Sequence, residues 1–199
     1  MSAVCMLNIK TIIMKNFKTL FTKSALVLVA FASFQTLSAQ TTVVGGQEMY
    51  PAKDIVDNAV NSADHTTLVA AVKAGGLVET LKSDGPFTVF APTNDAFENL
   101  PAGTVETLLK PENKSQLVGV LTYHVLSGKY DFAALAKLIK KGKGEAKLKT
   151  VAGAELTFKM NGEHNITVTD ANGSTANISV YDVYQSNGVI HVVDKVLLP

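Results

Sequence analysis

The chain has 199 residues, 47% of them hydrophobic and 18% charged, with a formal net charge of +1. That balance is too apolar and too weakly charged for an unfolded chain, and it gives no general attraction to nucleic acid. All eighteen basic residues are lysine, so the guanidinium fork that reads phosphate and guanine is missing, and the lone Cys5 excludes a disulfide scaffold.

The first 39 residues read as a secretory signal peptide. Lys10, Lys15, Lys18 and Lys23, with no acid among them, precede the uncharged run SALVLVAFASF over 24–34 and the small-residue end QTLSAQ. Those 11 apolar residues fall short of the roughly 20 that span a bilayer as a helix. Cleavage is expected after Ala39, and Met14 offers a second, more compact start. Removing 1–39 leaves fourteen lysines against seventeen acids, a net charge of −3, and no cysteine. No transmembrane span is expected after that removal. Residues 40–51 form a short lead-in, and 52–199 is the expected domain.

Residues 53–62 suit a short helix. The stretch 64–83, with Leu68, Val72, Val78 and Leu81 at helical spacing, predicts a longer one that Gly75-Gly76 breaks in two. Asp64 or Thr66 is expected to cap its start. PFTVFAPT over 86–93 reads as a buried strand. A helix is expected after it, with Asp95 and Glu98 at capping-box spacing. Residues 104–109 and 111–121 predict two more helices, and 121–129 turns back into strand. Asp131 is expected to cap a helix over 132–141. Beyond Gly144 the apolar period changes to two, with Asn161-Gly162 and Asn172-Gly173 as hairpin signals. The last run is 188–198. Helices first and antiparallel strands after predict an α+β domain.

Motifs for catalysis and phosphate binding are missing: there is no G-x-S-x-G, G-x-x-x-x-G-K-[ST], G-x-G-x-x-G or H-E-x-x-H. The four histidines are scattered and not at ligand spacing, so no metal or cofactor is expected. A hydrolase built from His191 or His124 with Asp182 or Asp194 is the weakest functional reading. Lys137, Lys140, Lys141, Lys143, Lys147 and Lys149 fall within 13 residues and suggest a patch for an anionic polymer, although cations also suit a helix C-terminus. His191 alternates with Val189 and Val193, which suits a hydrogen-bonded core histidine. Tyr123 and His124, placed on a strand, would point to opposite faces.

Three segments in order resemble the fasciclin family of secreted adhesion domains: GPFTVFAPTNDAF over 85–97, LTYHVLSG over 121–128 and NGVIHVVDKVLLP over 187–199. The resemblance implies a β-wedge or sandwich of about seven strands flanked by several α-helices, in a bacterial-type protein with one domain. It implies structural roles for Thr88, Phe90, Thr93, Asn94, Asp95, Phe97, Asn187, Gly188, His191 and Asp194. Asn94 and Asp95 are expected to satisfy the start of the following helix. It also implies a secreted, non-enzymatic module that associates, as a monomer, with a cell-surface or matrix protein or polysaccharide. Partner contact would fall on Tyr123 and His124, flanked by Leu121, Val125 and Leu126. A binder of a small apolar ligand outside the cytoplasm is the alternative.

Overall fold

The computed structural model describes residues 41–199. The expected leader and its expected cleavage site, with Cys5 and Met14, lie outside the described residues.

Two short strands, β1 (Thr42–Val44) and β2 (Gln47–Met49), pair as a hairpin. The helical half follows: α1 (Ile55–Ala59), α2 (Thr66–Gly75) and α3 (Val78–Lys82). Gly76 ends α2 in the left-handed conformation at φ 73°, which glycine adopts without strain, so the expected break falls there. Then come β3 (Phe87–Pro92), α4 (Asn94–Glu98), α5 (Thr104–Leu108), α6 (Lys114–Tyr123), β4 (Val125–Ser127) and α7 (Phe132–Lys141). The meander β5 (Glu145–Lys149), β6 (Glu155–Met160), β7 (Ile166–Thr169), β8 (Thr175–Gln185) and β9 (Gly188–Val193) completes the chain.

Seven strands form one sheet in the order β4-β3-β9-β8-β7-β6-β5. The α+β class and the strand number agree with the reading of the sequence. The one parallel pair, β3 with β9, stands second and third from the β4 edge, and it joins the two glycine-led boxes. β8 is the corner: its start pairs with β7, and its remainder pairs with β9 through register shifts at Ser179 and at Tyr181 and Asp182. Asp182 has φ 56°, the local signature of a bulge that bends the strand. The bend folds one arm of the sheet over the other. Beyond β5, Thr150 bridges Leu126, and the Val151 amide donates to the Val125 carbonyl at 2.8 Å. The two ends of the sheet thus meet and close a wedge.

Two apolar clusters result. The inner one lies between the arms: Phe90, Leu126 and Val193 meet Leu156, Phe158 and Val168, and α7 adds Leu135 and Ile139. The Phe90 and Phe158 rings are 5.4 Å apart and tie the arms together. The outer one lies between the sheet and the helices, with Val89, Ala91, Ile190 and Val192 under Ile55, Leu68, Val72 and Leu121. β3 and β9 are therefore covered on both faces, which explains their nearly unbroken apolar sequence.

Two local expectations change. The strand expected from 121 starts only at Val125, because α6 continues to Tyr123 and His124 is its C-cap. Leu117 and Leu121 are one helical turn apart and pack beneath α2, so tertiary burial overrides the β-propensity of the segment. The start of α2 has no side-chain cap from Asp64 or Thr66; a short 3₁₀ turn at Ala63–His65 precedes it.

Candidate functional site

Tyr123 and His124 are both buried, at 0% and 3% exposure, and neither offers a surface contact. The Tyr123 hydroxyl donates to the Glu155 carbonyl at 3.1 Å and accepts from the Ala171 amide at 2.9 Å. Burial pushes its pKa up. His124 Nδ1–H donates to the Val120 carbonyl at 2.8 Å, the normal helix acceptor one turn back, and Nε2 accepts from the Leu197 amide at 3.0 Å. Each nitrogen has a partner only in the neutral ring, and burial lowers the pKa to about 4. The pair therefore pins the meander and the last residues of the chain onto the end of α6. Leu121, Val125 and Leu126 are buried as well. The expected contact surface at 121–126 is corrected: a helix end followed by a covered strand turns these side chains inward.

The box residues are internal ties. Thr88 donates to the Gly128 carbonyl at 2.7 Å and accepts from the Tyr130 amide at 2.8 Å. Thr93 caps α4 by accepting from the Ala96 amide. Asn94 acts elsewhere than expected: its side-chain oxygen accepts from the Thr67 amide at 3.0 Å and its nitrogen donates to the Ala63 carbonyl at 2.8 Å. It thus supplies the missing N-terminal partner of α2 from 27 residues away. Asp95 stands exposed in the first turn of α4, where an acid suits the helix dipole, and Phe97 packs on the outer cluster. Asn187 accepts from the Ile55 amide at 3.1 Å and donates to the carbonyls of Leu81 and Ser83 at 2.7 and 3.0 Å. It fastens α1 and α3 to the sheet. At Gly188 a Cβ would overlap the Phe87 carbonyl. Asp194 accepts from both the amide and the side chain of Asn177, at 2.7 and 2.8 Å.

His191 lies opposite the bulge of β8. Nε2–H donates to the Tyr130 carbonyl at 2.8 Å, and Nδ1 accepts a long bond from the Asp182 amide at 3.4 Å. The ring stacks on Phe90 at 5.6 Å, and burial lowers its pKa. The Asp182 carboxylate accepts from the Phe132 amide. Neither His124 nor His191 is hydrogen-bonded to a carboxylate among the described residues, so the His–Asp pairs considered for a hydrolase do not meet as dyads. Among the described residues no cluster of His, Cys, Asp and Glu has the arrangement of a metal site.

The six lysines of 137–149 are all exposed but do not form one surface. α7 packs through Leu135 and Ile139 on the inner side of the sheet, along with Ala146 of β5. Lys147 and Lys149 alternate with Ala146 and therefore face the other side from Lys137, Lys140 and Lys141 of α7. Lys143 sits in the turn between them with φ 58°.

Two features were not placed on particular residues from the sequence. Asp170 caps a tight turn, accepting from the amides of Asn172 and Ser174, and it also accepts from the Leu198 amide at 3.1 Å. The second is an apolar cavity of about 80 Å³ between the helices and the sheet, lined in part by Leu121, His124 and Val125. Asx-turn spacing in DANGS could have marked Asp170. No sequence signal marks the cavity, because its walls come from elements far apart in the chain. No described helix is long and apolar enough to cross a membrane.

Comparison with known proteins accords with this architecture. The chain is 48% identical to Protein sll1483 of Synechocystis sp. over 171 residues, spanning 86% of this chain and 87% of that protein. It is 34% identical over 146 residues to the Immunogenic protein MPB70 of Mycobacterium bovis, covering 71% of this chain and 66% of that one. Human periostin is 33% identical over 136 residues, which are 68% of this chain but 15% of periostin. Among solved structures, a FAS1 domain pair from the insect cell adhesion molecule Fasciclin I matches with a TM-score of 0.65 at 20% identity, over 75% of this chain and 52% of that one. The model of the Fasciclin domain matches residues 63–199, and the chain belongs to that family.

Proposed function

We propose that the domain is a non-enzymatic interaction module working outside the cytoplasm, where it associates as a monomer with a cell-surface or matrix protein or polysaccharide. Family membership carries this reading, together with a solved relative described as a cell adhesion molecule. The polar residues of the motifs support it, because they are spent on holding the fold together. The leader read over 1–39 would deliver the chain to the periplasm, the cell surface or the medium. In this reading Tyr123 and His124 act indirectly, by fixing the loops around Glu155, Ala171 and Leu197. Lys137, Lys140, Lys141 and Lys143 are the cations available to an acidic polysaccharide on the α7 side.

Beads coated with the protein are expected to attach to envelope or matrix extracts of the host, and uncoated beads are not. Equal attachment overturns the reading. A Tyr123→Phe/His124→Gln variant that stays folded and attaches like the parent removes the role of that pair. Fusing residues 1–40 to a reporter active only after export tests the leader.

A further inference from the structure

The helices α1, α2 and α3 roof the cavity, α6 flanks it, and β3, β4 and β9 form its floor. Side-chain size explains why it is open. Ala59 and Val72 in the roof and Val89 and Ala91 in the floor are too short to fill the space between the layers. Protein interiors are close-packed, and about 80 Å³ is several times what one water needs.

The polar atoms along its inner wall are already used. His124 has both ring nitrogens bonded, and the Thr122 hydroxyl donates to the Val118 carbonyl at 2.7 Å. Water deep inside would find no partner, and an apolar space of this kind stays dry and accepts an apolar guest. The rim differs. Val151 lies there at 50% exposure, an apolar side chain left in solvent beside the opening. Lys73 of α2 also lines the site, is exposed, and has no ion-pair partner among the described residues. The carboxylates of α1 and its cap, Asp57 and Asp54, are held by Lys82 at 2.5 and 3.6 Å. One apolar chamber with one uncommitted cation at its edge matches a molecule with an alkyl chain and a single negative end.

We propose that this cavity binds an amphipathic monocarboxylate, with its alkyl chain between the helices and the sheet and its carboxylate at the Lys73 ammonium. The proposal stands apart from the association with surface partners: either can fail without the other.

Butanoate and 1-butanol, whose three-carbon tails suit a cavity of about 80 Å³, are the probes, titrated into the full chain with ¹³C-labelled methyl groups. Butanoate is expected to shift the methyls of Val72, Val125 and Ile190 saturably, at millimolar concentration. Val72→Phe, which fills the chamber, is expected to weaken binding at least about tenfold. Val69→Phe acts from the half-buried flank of the same cavity, and it decides the matter if the first variant does not fold. Lys73→Gln is expected to weaken butanoate several-fold and leave butanol unchanged. Absence of saturable shifts, or shifts confined to methyls elsewhere, overturns the site. So does folded Val69→Phe protein that binds like the parent. Equal weakening of butanoate and butanol by Lys73→Gln overturns the carboxylate assignment.

Discussion

At the scale of single residues, buried side chains with two or three partners hold the molecule together. His124 is the clearest case. Its folded pKa of about 4 lies below the ordinary 6.5, so between those values the unfolded chain binds a proton that the folded chain does not. Stability is therefore full above about pH 6.5 and falls as the pH drops toward 4, by about 3 kcal/mol in total from this residue. His65 and His191 are lowered by burial too and add in the same direction. Urea unfolding at a series of pH values should show this slope, and His124→Gln should flatten it. Tyr123→Phe leaves the Ala171 amide and the Glu155 carbonyl without their partner. It is expected to cost about 1–3 kcal/mol in the same assay. Asn187→Ala removes three bonds that join α1 and α3 to the sheet, and a loss of about 3 kcal/mol is expected.

At the scale of elements, caps and edges carry the argument. Asp131 accepts from the Ala134 amide at 2.8 Å, and Lys140 and Lys141 lie at the opposite end of α7, so both ends of the helix dipole are matched. Asp131→Ala is expected to lower stability by about 1 kcal/mol, seen as a lower midpoint in thermal melting. β5 ends the order of the sheet, and only the residues just past it are bridged to β4. Lysines on such a strand discourage pairing with another chain. Lys147→Val/Lys149→Val is therefore expected to raise self-association with concentration, measured by light scattering. The lysine run thus has an explanation in the fold that the spacing alone does not reveal, since its members divide between two faces of the sheet.

At the scale of the whole molecule, the wedge is closed by contacts that span the chain. Leu197 is fully buried in the inner cluster, and its amide is the donor to His124. Leu197→Ala keeps that bond but empties the space under the two arms. A loss of about 2–5 kcal/mol is expected, with both arms unfolding in one transition when followed by circular dichroism and by hydrogen exchange.

Local order was legible in the sequence because it depends on neighbours in the chain. The period of two after Gly144, the Gly75-Gly76 break, the Asp131 cap and the buried run PFTVFAPT depend on spacing and backbone preference, and the structure repeats them. What the spacing could not decide was direction. Tyr123 and His124 looked like a strand pair facing two ways, yet packing of Leu117 and Leu121 under α2 kept them helical and turned them inward. Asn94 sits where it could cap its own helix, yet the fold brings the start of α2 within its reach instead. The cavity depends on the same kind of distance. Short side chains from α1, α2, β3 and β9 leave a gap only when the layers are stacked, and Lys73 comes to its rim only then. Composition and periodicity thus determine which elements form and which faces are apolar, because those depend on the chain's own geometry. Which buried polar group meets which, and where space is left, was decided by the closure of the wedge, because that sets distances between residues the chain keeps far apart.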